Sequence, residues 1–135
     1  MIPKIIHYCW LGDSEFPELV KKCIQSWKKK MPDWEFILWD KNCLKDLNSD
    51  WVNEAYSTKK YAFAADYIRL YAVNKFGGFY LDSDVEVLKN FAPLLDSPYI
   101  FALENEIGDI EAATFGSEPN NPYVQKCLSY YEGRH

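Results

Sequence analysis

Strand-like apolar runs alternate with stretches of helical spacing along most of this chain. Residues 4–10 form a short apolar run interrupted by His7 and read as a strand. Residues 17–30 place Leu19, Cys23, Ile24 and Trp27 at helical intervals and read as a helix with those four on its inner face. Met31-Pro32-Asp33 breaks it, and residues 34–39 make a second strand. Residues 42–56 fit short helical pieces, and residues 59–76 form the longest helical segment, with no Gly or Pro inside. Gly77-Gly78 ends that helix and turns the backbone into an apolar strand at 78–81. Residues 85–88 read as a further extended piece and 91–95 as a short turn. Residues 99–103 and 112–115 read as extended, and 121–131 as a closing helix with Pro122 in its first turn. The β-α-β-α-β order predicts an α/β fold: a Rossmann-like, mainly parallel sheet with helices on both faces. Ligands of such sheets bind beyond the carboxyl ends of the strands, where residues 10–13 and 82–84 emerge.

The apolar strand at 78–81 runs directly into Asp82-Ser83-Asp84. Successive strand side chains alternate faces, so Asp82 and Asp84 are expected to point the same way, at the end of a buried strand. Two like charges side by side call for a cation or hydrogen-bond donors, and oxygen-only ligands suit hard ions such as Mg²⁺, Mn²⁺ or Ca²⁺. The plain alternative is a solvated acidic turn. On the preceding helix, Ala62, Ala65, Asp66, Arg69 and Val73 fall on one stripe, which is expected to face the sheet. Either Asp66 and Arg69 form a structural ion pair, or the alanines allow close approach while the two charges project into a cleft. There the Arg69 fork can hold two oxygens at once.

Composition narrows the classes. The chain has 135 residues, enough for one domain with a real core, and 48% hydrophobic and 17% aromatic content excludes disorder. A net charge of −5 argues against nucleic acid as a partner. The basic run Lys28-Lys29-Lys30 reads as the solvated end of a helix, complementing its dipole; attraction to an anionic membrane surface is the lesser reading. Cys9, Cys23, Cys43 and Cys127 form no C-x-x-C pair, and the two histidines, His7 and His135, stand at no metal spacing, so zinc is not expected. Reduced cysteines and the lack of a signal-like or membrane-spanning run lead to the expectation of a cytoplasmic protein, at most peripheral to a membrane.

The run Ala65-Asp66-x-x-Arg69 followed by Gly77-Gly78-x-Tyr80-Leu81-Asp82-x-Asp84-Val85 resembles the donor-sugar signature of D-x-D glycosyltransferases, specifically glycosyltransferase family 32. That family includes enzymes of bacterial capsular-polysaccharide synthesis and initiating mannosyltransferases. The opening residues 2–12 are similar to the family's first strand, and residues 34–40 to its second. The resemblance implies the GT-A nucleotide-sugar-binding fold across residues 1–135. It also implies a nucleotide-diphosphate sugar donor, a glycan or polysaccharide acceptor, and transfer with retention. A divalent ion, Mn²⁺ or Mg²⁺, is implied on Asp84 with Asp82 nearby. By the same resemblance Asp66 and Arg69 hold the donor sugar, Asp82 lies near the ribose or sugar hydroxyls, and His7 and Trp10 meet the nucleotide. Asp82, Asp84 and Arg69 are then the catalytic set. For His7 and Trp10, plain core packing stays open beside a ligand contact.

Members of that family are longer than this chain, and their acceptor contacts come from a later part. The sequence therefore reads as a domain incomplete beyond Arg134-His135, supporting donor binding more directly than turnover. A truncated, non-catalytic donor-binding domain is one alternative. A haloacid dehalogenase-type phosphohydrolase, with Asp82 as nucleophile and Asp84 as acid/base, is another, although Val85-Glu86 replace the Gly-Thr-like pair expected there and the motif lies past mid-chain. A calcium-binding loop fits less well, since Val87 stands where it needs Gly.

Overall fold

The computed structural model describes residues 1–103 and 110–131; Arg134 and His135 lie outside the described residues. Among these, strands β1 (Ile5–Cys9), β2 (Glu35–Trp39), β3 (Gly78–Leu81), β4 (Tyr99–Leu103) and β5 (Ile110–Ser117) form one sheet in the order β2-β1-β3-β5-β4. Strand β1 pairs in parallel with β2 and β3, as the alternating pattern predicts. The other half is antiparallel: β5 runs back against β4 and inserts between β4 and β3.

Helices α1 (Glu18–Lys30), α2 (Leu44–Leu47), α3 (Asp50–Ser57), α4 (Tyr61–Phe76) and α5 (Pro122–Ser129) surround the sheet. Alternation along β1 and β3 divides the core between its two faces. Ile6, Tyr8, Phe79 and Leu81 pack with Trp27 and Met31 on one side, the side of α1. Cys9, Tyr80 and Phe115 pack with Ala64, Ile68 and Ala72 of α4 on the other. In α1 the buried face is Val20, Cys23, Ile24 and Trp27, while Leu19 is 63% exposed, one position off the expected stripe. In α4 the fully buried residues are Ala64, Ile68, Ala72 and Val73. Of the expected stripe, Val73 is in the core as expected, while Ala62, Ala65 and Arg69 lie beside the buried line, against the cleft described below, and Asp66 is partly exposed. The helix starts at Tyr61 because Lys59 adopts a left-handed φ of 60° that separates α3 from α4.

Two local features fix the end of the sheet where β3 emerges. Gly77 and Gly78 have φ of 70° and 102°, values that L side chains rarely adopt. A Cβ at Gly78 would stand 2.6 Å from the Ile5 carbonyl oxygen, so only glycine lets α4 turn directly into a strand packed against β1. Beyond β3, residues 85–88 do not continue as a strand, contrary to the sequence expectation. Their backbone is engaged by α1: the Trp27 indole donates to the Val85 carbonyl at 2.7 Å, and the Val87 N–H donates to Ser26 Oγ at 2.9 Å. No helix among the described residues is long and apolar enough to cross a membrane.

Candidate active site

Strand β3 stops at Leu81, and the Val85 N–H closes a turn onto the Asp82 carbonyl at 3.0 Å. Asp82 and Asp84 therefore reach the same cleft through a turn, not through strand alternation. The cleft has a volume of about 620 Å³. Its floor is Tyr80 and the end of β1 at Cys9, one wall is Ala62, Ala65 and Arg69 of α4, and the rim carries Trp10, Ser83 and Asp84. The Trp10 indole donates to the Ser14 carbonyl at 3.0 Å and its ring meets Phe16 edge-on at 5.3 Å, which fixes the loop after β1. That loop is tied to the segment after β2 by Lys41, whose Nζ lies 2.7 Å from Asp13; this pairing lowers the Asp13 carboxyl below its ordinary range.

Arg69 is the hub of the site. Its side chain is only 12% exposed, and Nη2 lies 3.1 Å from Asp66 and 3.8 Å from Asp82. Its Nε donates to the Ala65 carbonyl at 3.3 Å, and the guanidinium sits 5.1 Å from the centre of the Tyr80 ring. The Tyr80 phenol is buried and pushed well above its ordinary pKa mainly by that burial, with Cys9 and the Asp82 carboxylate adding to the rise. Burial also raises the Asp66 carboxyl, outweighing the opposing pull of Arg69. Asp66 itself lines a second cavity, on the other side of Arg69 from the D-x-D turn.

The structure thus brings Asp82, Asp84, Arg69 and Trp10 into one cleft and joins Asp66 to them through Arg69. It places His7 elsewhere. His7 is fully buried; its Nε2 donates to the Gly77 carbonyl at 2.9 Å and its Nδ1 accepts from the Trp39 indole at 3.1 Å. With both ring nitrogens engaged inside the core and the ring absent from the cleft wall, the geometry supports the core-packing reading of His7 over the ligand contact. Burial lowers its pKa to about 4, keeping the ring neutral as this geometry requires. Cys9 touches the cleft but is no nucleophile, since burial pushes its thiol up to about 12. Sequence reasoning missed Tyr61 on the cleft wall, although Tyr61, Ala65 and Arg69 are spaced four residues apart on one helix, a signal that reaches it. It also missed the contribution of α5 to the second cavity.

The family model for the glycosyltransferase sugar-binding region containing a DXD motif matches residues 17–101. The chain belongs to this DXD family. Mannosyl phosphorylinositol ceramide synthase SUR1 of Saccharomyces cerevisiae is 30% identical over 132 residues, which are 95% of this chain and 34% of that protein. Inositol phosphoceramide mannosyltransferase 2 of Schizosaccharomyces pombe is 31% identical over 136 residues, 98% of this chain and 39% of that protein. The chain thus spans between a third and two fifths of the length of these two curated relatives. The solved PaToxG glycosyltransferase superposes with a TM-score of 0.74 at 21% identity, covering 95% of this chain and 59% of that one. That likeness is one of fold, and with the five-stranded sheet and flanking helices it identifies a GT-A-like α/β architecture.

Membership of the DXD family sets aside the phosphohydrolase reading of Asp82 and Asp84. The donor set fits the hard divalent ion that such a motif implies. Asp82 is partly exposed and Asp84 is exposed at the mouth of the same cleft, both offering oxygen only. Among the described residues no cluster of three or more His, Cys, Asp or Glu is placed to cage an ion. Two carboxylates suit Mg²⁺ or Mn²⁺, which keep waters and take their remaining oxygens from substrate phosphates.

Proposed function

We propose that residues 1–135 form the donor-binding unit of a glycosyltransferase that takes a nucleotide-diphosphate sugar with Mn²⁺ or Mg²⁺ and transfers the sugar, with retention, to a hydroxyl of a glycan or polysaccharide. The observation that carries this reading is the meeting of Asp82, Asp84 and Arg69 in one cleft at the carboxyl ends of β1 and β3. The names of the relatives make mannose the first sugar to test.

In such a transfer the bond between the anomeric carbon and the diphosphate oxygen breaks, and the electron pair leaves with the diphosphate. The acceptor oxygen bonds to that carbon on the same face, and its proton passes to the departing diphosphate, so atoms and charge balance. A bound divalent ion would supply Lewis-acid stabilisation of the leaving charge. Asp84, with Asp82 beside it, would hold that ion. Arg69, preorganised by Asp66, Asp82 and the Tyr80 ring, holds donor oxygens in a forked geometry and opposes the growing negative charge. Trp10, on the rim of that cleft, would meet the nucleoside.

The test is isothermal titration with a panel of nucleotide-sugars, with Mn²⁺ or with excess chelator, alongside a transfer assay. Metal-dependent binding of one donor, weakened by Arg69→Lys, is the expected result. A verified folded chain that binds no nucleotide-sugar would leave only the fold standing.

A further inference from the structure

The second cavity has a volume of about 630 Å³ and lies on the far side of Arg69 from the D-x-D turn. Asp66 lines it from α4 and Phe101 from β4, while Tyr123, Lys126 and Tyr130 line it from α5 and its C-terminal end and Tyr131 from just beyond that helix. Its rings are packed against one another: Phe101 meets Tyr123 edge-on at 5.2 Å, and Tyr130 meets Tyr131 at 5.2 Å. We infer that this cavity is the acceptor subsite, and that its occupant is a hydroxylated ring, a pyranose of a glycan. The inference rests on the donor reading given above.

Three observations carry it. Arg69 lines both cavities, so a sugar held by Asp66 and Arg69 lies at their boundary. An acceptor ring seated in the second cavity then lies next to that sugar. The wall chemistry is also that of a sugar site: aromatic faces for the C–H faces of a ring, and the Asp66 carboxylate with tyrosine hydroxyls for its edge. Burial and the neighbouring Asp66 both raise the Tyr131 phenol, which sets a protonated donor near that carboxylate. Finally, the ionised side chains are Asp66, Arg69 and Lys126, a net positive set that disfavours a cationic acceptor and admits a neutral one. The same ring could arrive on a soluble oligosaccharide or as a glycolipid head group.

The experiment is a backbone-amide NMR titration of the whole chain with methyl α-mannoside, methyl α-glucoside and methyl α-galactoside, repeated with the octyl glycosides. Nucleoside diphosphate with Mn²⁺ is titrated in separate samples of the same protein. At least one glycoside is expected to shift amides of α5 and β4 and not those of residues 10–14. Tyr123 and Tyr130 are 48% and 57% exposed, so alanine variants should fold. Each should weaken glycoside binding about five-fold while leaving diphosphate affinity unchanged. Tighter binding of octyl than methyl glycosides points to a lipid-borne ring, equal binding to a soluble one. No glycoside binding, shifts confined to the D-x-D cleft, or unchanged affinity in both variants would overturn the assignment. If glycosides bind at α5 but diphosphate does not bind, the donor reading fails and the sugar subsite stands.

Discussion

The Arg69 guanidinium sits 5.1 Å from the centre of the buried Tyr80 ring, so a core residue of the central strand supports the charged hub of the site. Tyr80→Leu keeps an apolar side chain and removes the aromatic face, whereas Tyr80→Phe keeps the ring. A cation–π contact with a partly desolvated guanidinium is worth about 1–2 kcal/mol. Nucleoside diphosphate affinity in Mn²⁺ should fall about ten-fold in Tyr80→Leu and stay near that of the parent in Tyr80→Phe. Calorimetric titration of both variants decides; unchanged affinity in Tyr80→Leu would make the contact a packing feature alone.

Arg69 reaches Asp66 at 3.1 Å and Asp82 at 3.8 Å from one nitrogen, Nη2, while Nε is held by the Ala65 carbonyl. A lysine ammonium on a flexible stem cannot reproduce this planar arrangement. Arg69→Lys should weaken nucleotide-sugar binding by about ten-fold or more while the fold persists. Normal donor binding with a lowered melting temperature would assign the network to structure.

His7 makes stability depend on pH. Its folded pKa of about 4 lies below the ordinary value of 6.5, so the unfolded chain binds the extra proton between these limits. The stabilisation is complete above about pH 6.5 and is lost as pH falls towards 4, amounting to about 3 kcal/mol over that window. Urea unfolding at pH 7.0, 6.0 and 5.0 should show this decline. The His7 ring signal, sorted from that of His135 with a His135→Gln variant, should remain that of a neutral imidazole at pH 5. A His7 that titrates near 6.5 would contradict the buried Trp39–His7–Gly77 chain.

What is legible in the sequence is what neighbours along the chain decide. The Gly77-Gly78 turn, the position of Asp82-x-Asp84 directly after β3, and the Asp66–Arg69 pairing on α4 all depend on spacing within about twenty residues. His7 is different: its partners, Trp39 and Gly77, lie 32 and 70 positions away, so nothing local separates a core imidazole from a ligand contact. The stripe on α4 is displaced for a related reason. Small residues stand at Ala62 and Ala65 on one line of the helix and at Ala64 and Ala72, with Ile68 between them, on the next. Only the sheet's position chooses which line is buried. The antiparallel half of the sheet, and the cavity between α4, α5 and β4, arise from how β5 inserts, which alternation of elements does not encode.

Gly78 is the residue on which the placement of the D-x-D turn depends most directly. Its φ of 102° is strained for any L side chain, and an added Cβ would press on the Ile5 backbone carbonyl at 2.6 Å. Backbone cannot step aside as a flexible side chain can. Gly78→Ala should destabilise by about 3 kcal/mol or more, read as a fall in the urea midpoint at unchanged slope. A neutral effect would mean that β3 and β1 separate more easily than their pairing suggests.

The metal role proposed for Asp84 is separable from the structural roles of its neighbours, because Asp84 is exposed while Asp82 lies 3.8 Å from Arg69 Nη2. Two carboxylates alone complete too little of an octahedral shell for tight binding, so Mn²⁺ by itself should raise the melting temperature only slightly. Nucleoside diphosphate supplies the missing oxygens, and the two together should stabilise by about 2.7 kcal/mol once the ligand is about a hundred-fold above its Kd. Asp84→Asn should abolish most of this joint effect and leave the unliganded protein's melting temperature within about a degree, since surface substitutions usually change stability by under about 0.5 kcal/mol. Asp82→Asn should lower both, because it also removes one of the two ion-pair partners of Arg69. Equal diphosphate affinity in Mn²⁺ and in excess chelator would instead remove the ion from the site and leave Arg69 to meet the diphosphate charge in this cleft.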